Sequence, residues 1–312
     1  MYNAETYIGP CLDSILHSDL PDDSYEIVVI NDGSKDSGPE IARQYESKHD
    51  NIIYLTQENQ GQSTARNYGV KSCHGEYVWF VDSDDLVDAK CRGILDLLNS
   101  HRGLDILGIM LHDVTEELQS LNKSCTQPSL QHEVVMTGRE AVISGYNPSS
   151  VCALIARREF LLNNDLFFVP GITHQDVELS YRMMAQAESV YFSYLAPYIY
   201  IQHPSSVRHD PARQLKYNMD DIYIACSFCR LSATFAESDK RLADVIYNRS
   251  QNVIWGMVYS MFCLRKVRRA SGINTVLLAE LKKQHLYPLR GRYDSIKKRL
   301  ILPLLNCEKL LR

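Results

Sequence analysis

Three carboxylates, Asp82, Asp84 and Asp85, close the run Tyr77-Val78-Trp79-Phe80-Val81-Asp82-Ser83-Asp84-Asp85. Like charges crowded at one strand end repel one another unless a cation is shared between them. In an extended chain Asp82 and Asp84 point to the same side. Such an Asp-x-Asp supplies hard oxygen ligands for a divalent metal and leaves positions for phosphate oxygens. The plainer alternative is that Asp84 and Asp85 cap a helix starting near Asp88. Asp32, in the turn Asn31-Asp32-Gly33-Ser34-Lys35-Asp36, is a candidate for the ligand-binding edge of a sheet, or else a simple Asx-turn or cap. Asp176 follows the loop Pro170-Gly171-Ile172-Thr173-His174-Gln175 and would sit near the N-terminus of the helical pattern that follows, where the plain reading is a cap with a dipole bonus. His203, Arg208 and His209 lie in a loop rich in ligand and phosphate-binding groups, whose alternative is a plain solvated loop.

The elements that must position these groups alternate. An amphipathic helical pattern over residues 7–16 contains Pro10, tolerable where a helix begins. Glu26-Ile27-Val28-Val29-Ile30 reads as a buried strand, followed by a helix with Ile41, Ala42 and Tyr45 inward, a strand at Ile52-Ile53-Tyr54-Leu55, and a helix from Thr64 carrying Arg66 and Asn67. Tyr77 to Val81 is an uninterrupted apolar run, expected to be a strand buried on both faces. This alternation argues for an α/β fold with a parallel sheet and right-handed crossovers. Ligands bind such sheets beyond the carboxyl ends of the strands, where Asp32 and Asp82 both fall. Further on we expect a helix over 88–99, a strand over 105–111, an irregular or hairpin excursion over 112–135 and a capping box at Thr137-Gly138-Arg139-Glu140. A strand over 151–156, a helix over 177–187 and strands at 191–192 and 198–201 follow. From Pro211 the pattern is helical, about 214–236, 240–266, 273–286 and 295–311. The expected division is an α/β domain over 1–210 and a helical region over 211–312.

The chain has 312 residues and a formal charge of −5. From Lys240 onward there are 16 basic and 4 acidic residues, leaving 17 basic and 34 acidic ahead of it. That split suggests a catalytic body with a basic tail that meets an anionic surface. Residues 262–269 and 296–305 mix basic and bulky apolar side chains, as a helix in a membrane interface does; a helical lid with solvated charges is the alternative. No run of about 18 apolar residues exists, so no membrane span is expected, and no signal peptide is visible. Nine cysteines are scattered; Cys226 and Cys229 form a C-x-x-C inside a helical apolar pattern and read as core. A reduced, cytoplasmic setting is expected, peripheral on the inner face of the membrane if the tail binds lipid.

Residues 1–210 resemble the family 2 glycosyltransferases of GT-A fold. Tyr2-Asn3-Ala4-Glu5, Cys11-Leu12-Asp13-Ser14-Ile15, Val29-Ile30-Asn31-Asp32-Gly33-Ser34-Lys35-Asp36, Glu58-Asn59-Gln60-Gly61, Ala65-Arg66-Asn67 and Phe80-Val81-Asp82-Ser83-Asp84-Asp85 occur in the family's order. The resemblance implies a Rossmann-like, mainly parallel sheet. It also implies inverting transfer of a sugar from a nucleotide sugar, usually UDP-linked, to an acceptor hydroxyl of a polysaccharide or glycolipid. By that resemblance Tyr2, Asn3, Asp32, Arg66 and Asp82 serve the nucleotide. Asp84, with Asp82 as a second candidate, holds Mn²⁺ or Mg²⁺, and Asp176 is the base. His203, Arg208 or His209 cover the diphosphate. The expected partners are the nucleotide sugar, a saccharide or lipid-linked acceptor and a membrane surface, with no nucleic acid. Two departures stand out: Met1 occupies the place of a first strand, and Gln175-Asp176 replaces the usual Glu-Asp, for which weaker activity rather than a different reaction is the expectation. The rivals are a catalytically impaired nucleotide-sugar-binding subunit of the same fold and a nucleotidyltransferase. The second would need a glycine-rich phosphate loop, which is not seen, and no G-x-G-x-x-G supports a dinucleotide enzyme.

Overall fold

The computed structural model describes residues 1–124, 127, 129–147, 150–203, 214–265, 272–293 and 295–311. Two compact units are present: one of Met1–Gly171 and Gln175–Ser206, the other of Ile172–His174 and Val207–Arg312.

The first unit opens with α1 (Ile8–Leu16), β1 (Ile27–Asn31), α2 (Gly38–Glu46), β2 (Ile52–Thr56), α3 (Gln62–Ser72) and β3 (Tyr77–Trp79). The expected alternation is present, and β1 and β2 pair in parallel, Ile27 against Ile52. Ile8, Leu12, Val29, Ala42 and Ile52 form a small core between these helices and strands. After β3 come β4 (Leu86–Val87), α4 (Arg92–Ser100), β5 (Ile106–Gly108), β6 (Leu111–Val114), β7 (Ser120–Ser124) and β8 (Val135–Met136). They lead to α5 (Gly138–Ile143), β9 (Leu154–Arg157), α6 (Arg158–Asn163), α7 (Gln175–Gln186), β10 (Val190–Phe192) and β11 (Tyr198–Ile201). Here pairing is mixed: one sheet has the order β3-β9-β5-β10-β8, another β4-β11-β6-β7. The single strand expected over 105–111 is two, β5 and β6, in different sheets. The excursion after it is a β6/β7 hairpin. Thr137 and Glu140 form the reciprocal capping box of α5. The helix expected from Asp88 begins at Arg92, so neither Asp84 nor Asp85 caps it.

β3 is the edge of its sheet and only half-buried, which corrects the expectation of burial on both faces. β1 and β3 do not pair. A cavity of about 1290 Å³ is lined by Val28 and Ile30 of β1, Val78 of β3, Leu12 of α1 and Val70 of α3. The Ile27 N–H donates to Asn51 O and the Asn31 carbonyl accepts from Gln57 N on the β2 side. By ladder alternation the backbone groups of Val28 and Ile30 therefore point away from β2. Met1 takes the last such position. Its amine donates to the Ile30 carbonyl at 2.7 Å and its own carbonyl accepts from Asp32 N at 2.9 Å, the pattern of a parallel pair with Asn31. Burial pushes the Met1 amine below its usual pKa.

The second unit contains α8 (Gln214–Phe235), α9 (Lys240–Cys263), α10 (Ile273–Lys283) and α11 (Ile296–Leu305). Ile222, Ile254, Val258, Leu277, Leu281 and Leu305 belong to its core, with Cys226 and Cys229 packed against it as expected of core cysteines. Among the described residues no helix is long and apolar enough to cross a membrane.

The geometry beside β1 generates one prediction. Joining about five valine and isoleucine residues to the Met1 nitrogen should add a strand parallel to β1, burying apolar surface and pairing free backbone groups. The expected result is a thermal midpoint several degrees above that of a chain with a Gly-Ser extension of equal length. Equal midpoints would exclude pairing in this cavity.

Candidate active site

Asp32 follows β1 directly and is buried. Its Oδ1 accepts from Gln57 Nε2 at 2.7 Å and from Gln60 N at 2.9 Å, and its Oδ2 accepts from Gly61 N at 2.8 Å. Gly61 is the residue before α3, so this carboxylate sits at the positive end of that helix. The turn after Asp32 is crowded: a Cβ on Gly33, where φ is +74°, would lie 2.8 Å from Asn59 N. Asn3 laces the amino-terminal segment to the same turn. Its N–H donates to Ser34 Oγ at 3.0 Å, and its Oδ1 accepts from Lys35 N at 2.9 Å. Tyr2 beside it is exposed.

α3 carries Arg66 toward the Asp-x-Asp. Arg66 Nη2 donates to Asp82 Oδ1 at 2.6 Å, and Nη1 donates to Asp176 Oδ1 at 3.0 Å. The guanidinium also lies over the Phe168 ring, 5.2 Å from its centroid. Asn67 holds the Phe168 backbone in both directions, at 2.8 Å each, which steadies the segment leading toward α7. Burial works against the Arg66 charge, but Asp82 and then Asp176 outweigh it and raise its pKa. Asp176 is the second residue of α7, with about a quarter of its side chain exposed (24 %). Burial raises its pKa above the ordinary carboxylate value even though Arg66 pulls the other way.

The three clustered carboxylates separate. Asp85 turns inward, 2 % exposed. It accepts from Tyr198 Oη at 2.6 Å and from Ile201 N at 2.8 Å. Burial nevertheless pushes its carboxyl up to about 7. Tyr198 Oη also accepts from Asp82 N at 3.1 Å, so one hydroxyl ties both ends of the acidic turn to β11. Asp84 is exposed. Burial of its immediate surroundings, then the Asp82 charge, raise its pKa. Asp84 lines the large cavity together with Tyr2, Asn3, Asp32, Arg66 and Asp82. It also lines a second cavity of about 400 Å³ with Tyr7, Glu116 and His203.

His203 Nδ1 lies 2.8 Å from Glu116 Oε1, and its Nε2 lies 3.4 Å from the Asp84 carbonyl. Burial opposes its charge, yet Glu116 and that carbonyl raise its pKa above the usual imidazole value. The other two loop candidates, Arg208 and His209, lie outside the described residues.

Sequence reasoning singled out Gln175 but missed Gln62, its amide partner, and Tyr198. Gln62 Nε2 donates to Asp82 Oδ1 at 3.2 Å, and Gln175 Nε2 donates to Gln62 Oε1 at 2.7 Å. Gln175 Oε1 in turn accepts from Ser63 Oγ. A glutamate at 175 could accept from Ser63 but could not donate to Gln62. Nothing in the local pattern marks Gln62 or Tyr198, because their partners lie 20 and 113 residues away. Among the described residues no three metal-ligating side chains cluster. The available oxygen ligands are the exposed Asp84 and the Arg66-bound Asp82.

Tyr198→Phe leaves the buried Asp85 carboxylate and the Asp82 N–H each short of a partner. We expect a loss of about 1–3 kcal/mol in urea unfolding. An unchanged midpoint would show that the hydroxyl does not anchor the turn.

With the geometry in place, comparison with known proteins is direct. The family model described as Glycosyl transferase family 2 matches residues 1–134. The chain is 31% identical over 219 residues to the uncharacterized glycosyltransferase EpsJ of Bacillus subtilis (strain 168), an alignment covering 68% of this chain and 62% of EpsJ, less than two thirds of that relative. Among solved structures it resembles S. aureus TarS 1-349 in complex with UDP-GlcNAc, at a TM-score of 0.74 and 20% identity, covering 100% of this chain and 86% of that one. It also resembles the mannosyltransferase PcManGT from Pyrobaculum calidifontis in complex with GDP-Man and Mn2+, at a TM-score of 0.50 and 16% identity, covering 100% of this chain and 83% of that one. The family match spans Asp32, Arg66, Asp82 and Asp84 on this α/β frame, and the chain belongs to glycosyl transferase family 2, with the GT-A fold.

Proposed function

We propose that this chain transfers a sugar, with inversion, from a UDP-sugar to an acceptor hydroxyl of a cell-surface polysaccharide or glycolipid. The observation that carries the reading is the Asp82–Arg66–Asp176 chain, with bonds of 2.6 and 3.0 Å. It holds a base candidate beside a carboxylate turn that faces a cavity lined by Tyr2, Asn3 and Asp32. In this reading Asn3 and Asp32 border the nucleoside, and Arg66 with the protonated form of His203 meets the negative charge that develops on the departing diphosphate. Asp176 takes the proton of the acceptor hydroxyl. A single base and one in-line displacement invert the anomeric centre. The UDP-GlcNAc held by TarS supports a UDP-linked donor.

The acidic turn fits a divalent cation in ligand type, since Asp84 is open and both carboxylates are hard oxygen donors. Mn²⁺ or Mg²⁺ would rest on Asp84, with Asp82 shared with Arg66, and would neutralise charge on the diphosphate as a Lewis acid. PcManGT with GDP-Man and Mn2+ supports that assignment. In the domain assignment proposed here, residues 1–210 carry the transferase and residues 211–312 the basic helical region. The acceptor side is placed at the cytoplasmic face of a membrane.

Three outcomes test this. UDP with Mn²⁺ is expected to raise the thermal midpoint of the chain, since a ligand at about 100 times its dissociation constant adds roughly 2.7 kcal/mol. No shift with any nucleotide would remove the donor assignment. Asp176→Asn should abolish UDP release in the presence of acceptor while keeping that thermal shift; retained turnover would take the base role away. The pH profile gives the sign independently. Asp176 works deprotonated and its pKa is raised, so kcat/KM should fall toward acid through a pKa above the unperturbed value of about 3.9. An acid limb at or below that value would count against it.

A further inference from the structure

Helix α11 has two apolar faces. Ile301, Leu302 and Leu305 pack into the core of the second unit. On the other side Ile296, Leu300 and Leu304 stay 66%, 73% and 46% exposed. Steps of four residues set these three in one stripe along the helix. At about 100° per residue Lys297 falls on one side of the stripe and Arg299 on the other, and both are exposed. Lys298 instead turns inward. Its Nζ lies 4.7 Å from the Trp255 ring centroid and 3.2 Å from Asn252 Oδ1. The helix carries no acidic residue.

A helix whose outer face meets only water would place polar residues at 296, 300 and 304. We propose that the Ile296–Leu300–Leu304 stripe docks the second unit on an anionic lipid surface. The three apolar side chains enter the boundary between headgroups and acyl chains, while Lys297 and Arg299 meet headgroup phosphates. Charge selects this occupant. The chain from Lys240 onward has 16 basic and 4 acidic residues, so its field favours an anionic surface. A second copy packed stripe to stripe would bring the cations of both helices together. With one short helix the attachment is reversible. The inference rests on the proposed function only for the acceptor that such a surface would present.

The test is flotation of the full chain with vesicles, with no donor or acceptor present, so that it stands or falls apart from sugar transfer. Vesicles of phosphatidylcholine with phosphatidylglycerol should carry the protein up at low salt; pure phosphatidylcholine should carry much less. Lys297→Gln with Arg299→Gln should weaken binding roughly tenfold or more. Ile296→Ser, Leu300→Ser and Leu304→Ser together should abolish it. Leu300→Ser alone, at the most exposed of the three positions, should weaken it without disturbing the fold, as circular dichroism would show. Three results would overturn the proposal. One is absence of flotation at low salt, and another is flotation unchanged by the serine substitutions. The third is a dimer that those substitutions dissolve, in a chain that ignores vesicles.

Discussion

Arg66 stands between carboxylates from distant parts of the chain, Asp82 after β3 and Asp176 at the start of α7, 110 residues from Arg66. With its side chain 10 % exposed, it is the cation that lets two acids share a confined space. Without it, Gln62, the Val151 N–H and the Met1 amine would be left to offset the repulsion between Asp82 and Asp176. The same contact joins α3, the acidic turn and α7, so the relative placement of the base candidate and the Asp-x-Asp depends on one planar, five-donor side chain. Lysine, a point charge on a flexible stem, could not span both partners in that geometry.

Around this ion chain the aspartates divide their work by environment. Asp32 spends its oxygens on the loop ahead of α3, and Asp85 on Tyr198 and Ile201. Both carboxylates anchor the backbone around them. Asp84 remains open, and Asp82 is held by Arg66 and Gln62. Four chemically identical side chains thus differ in availability, because backbone and side-chain donors reach three of them and leave the fourth open. The neutral Gln175 fits the same logic: its amide both donates and accepts, which a second carboxylate beside Asp176 could not do.

Much of the α/β half was legible in the residues. Ile27–Asn31 and Ile52–Thr56 are apolar runs bounded by turn formers, and they pair in parallel. Thr137 and Glu140 announce a capping box that forms. Asp176 was expected near a helix start and is there. Pairing beyond β3 was less legible. The stretch over 105–111 reads as one strand, apolar after Asp105 apart from Gly108, yet it divides between two sheets. Strand propensity does not say which neighbour a strand will choose. Tyr77 to Val81 reads as a central strand by composition, but its burial depends on an adjacent strand, and β3 lies at an edge.

Local chemistry therefore determined most of the elements, the cap of α5 and the Asp-x-Asp, because propensity, turn formation and residue spacing act over a few residues. The tertiary structure decided which acids remain open. Asp85 finds Tyr198 across 113 residues, and Arg66 finds Asp176 across 110. It also decided that one face of α11 packs inward while Ile296, Leu300 and Leu304 face outward. Burial, and with it the cost of a charge or the gain from an apolar side chain, is a property of the neighbours that folding brings, and no local pattern contains them.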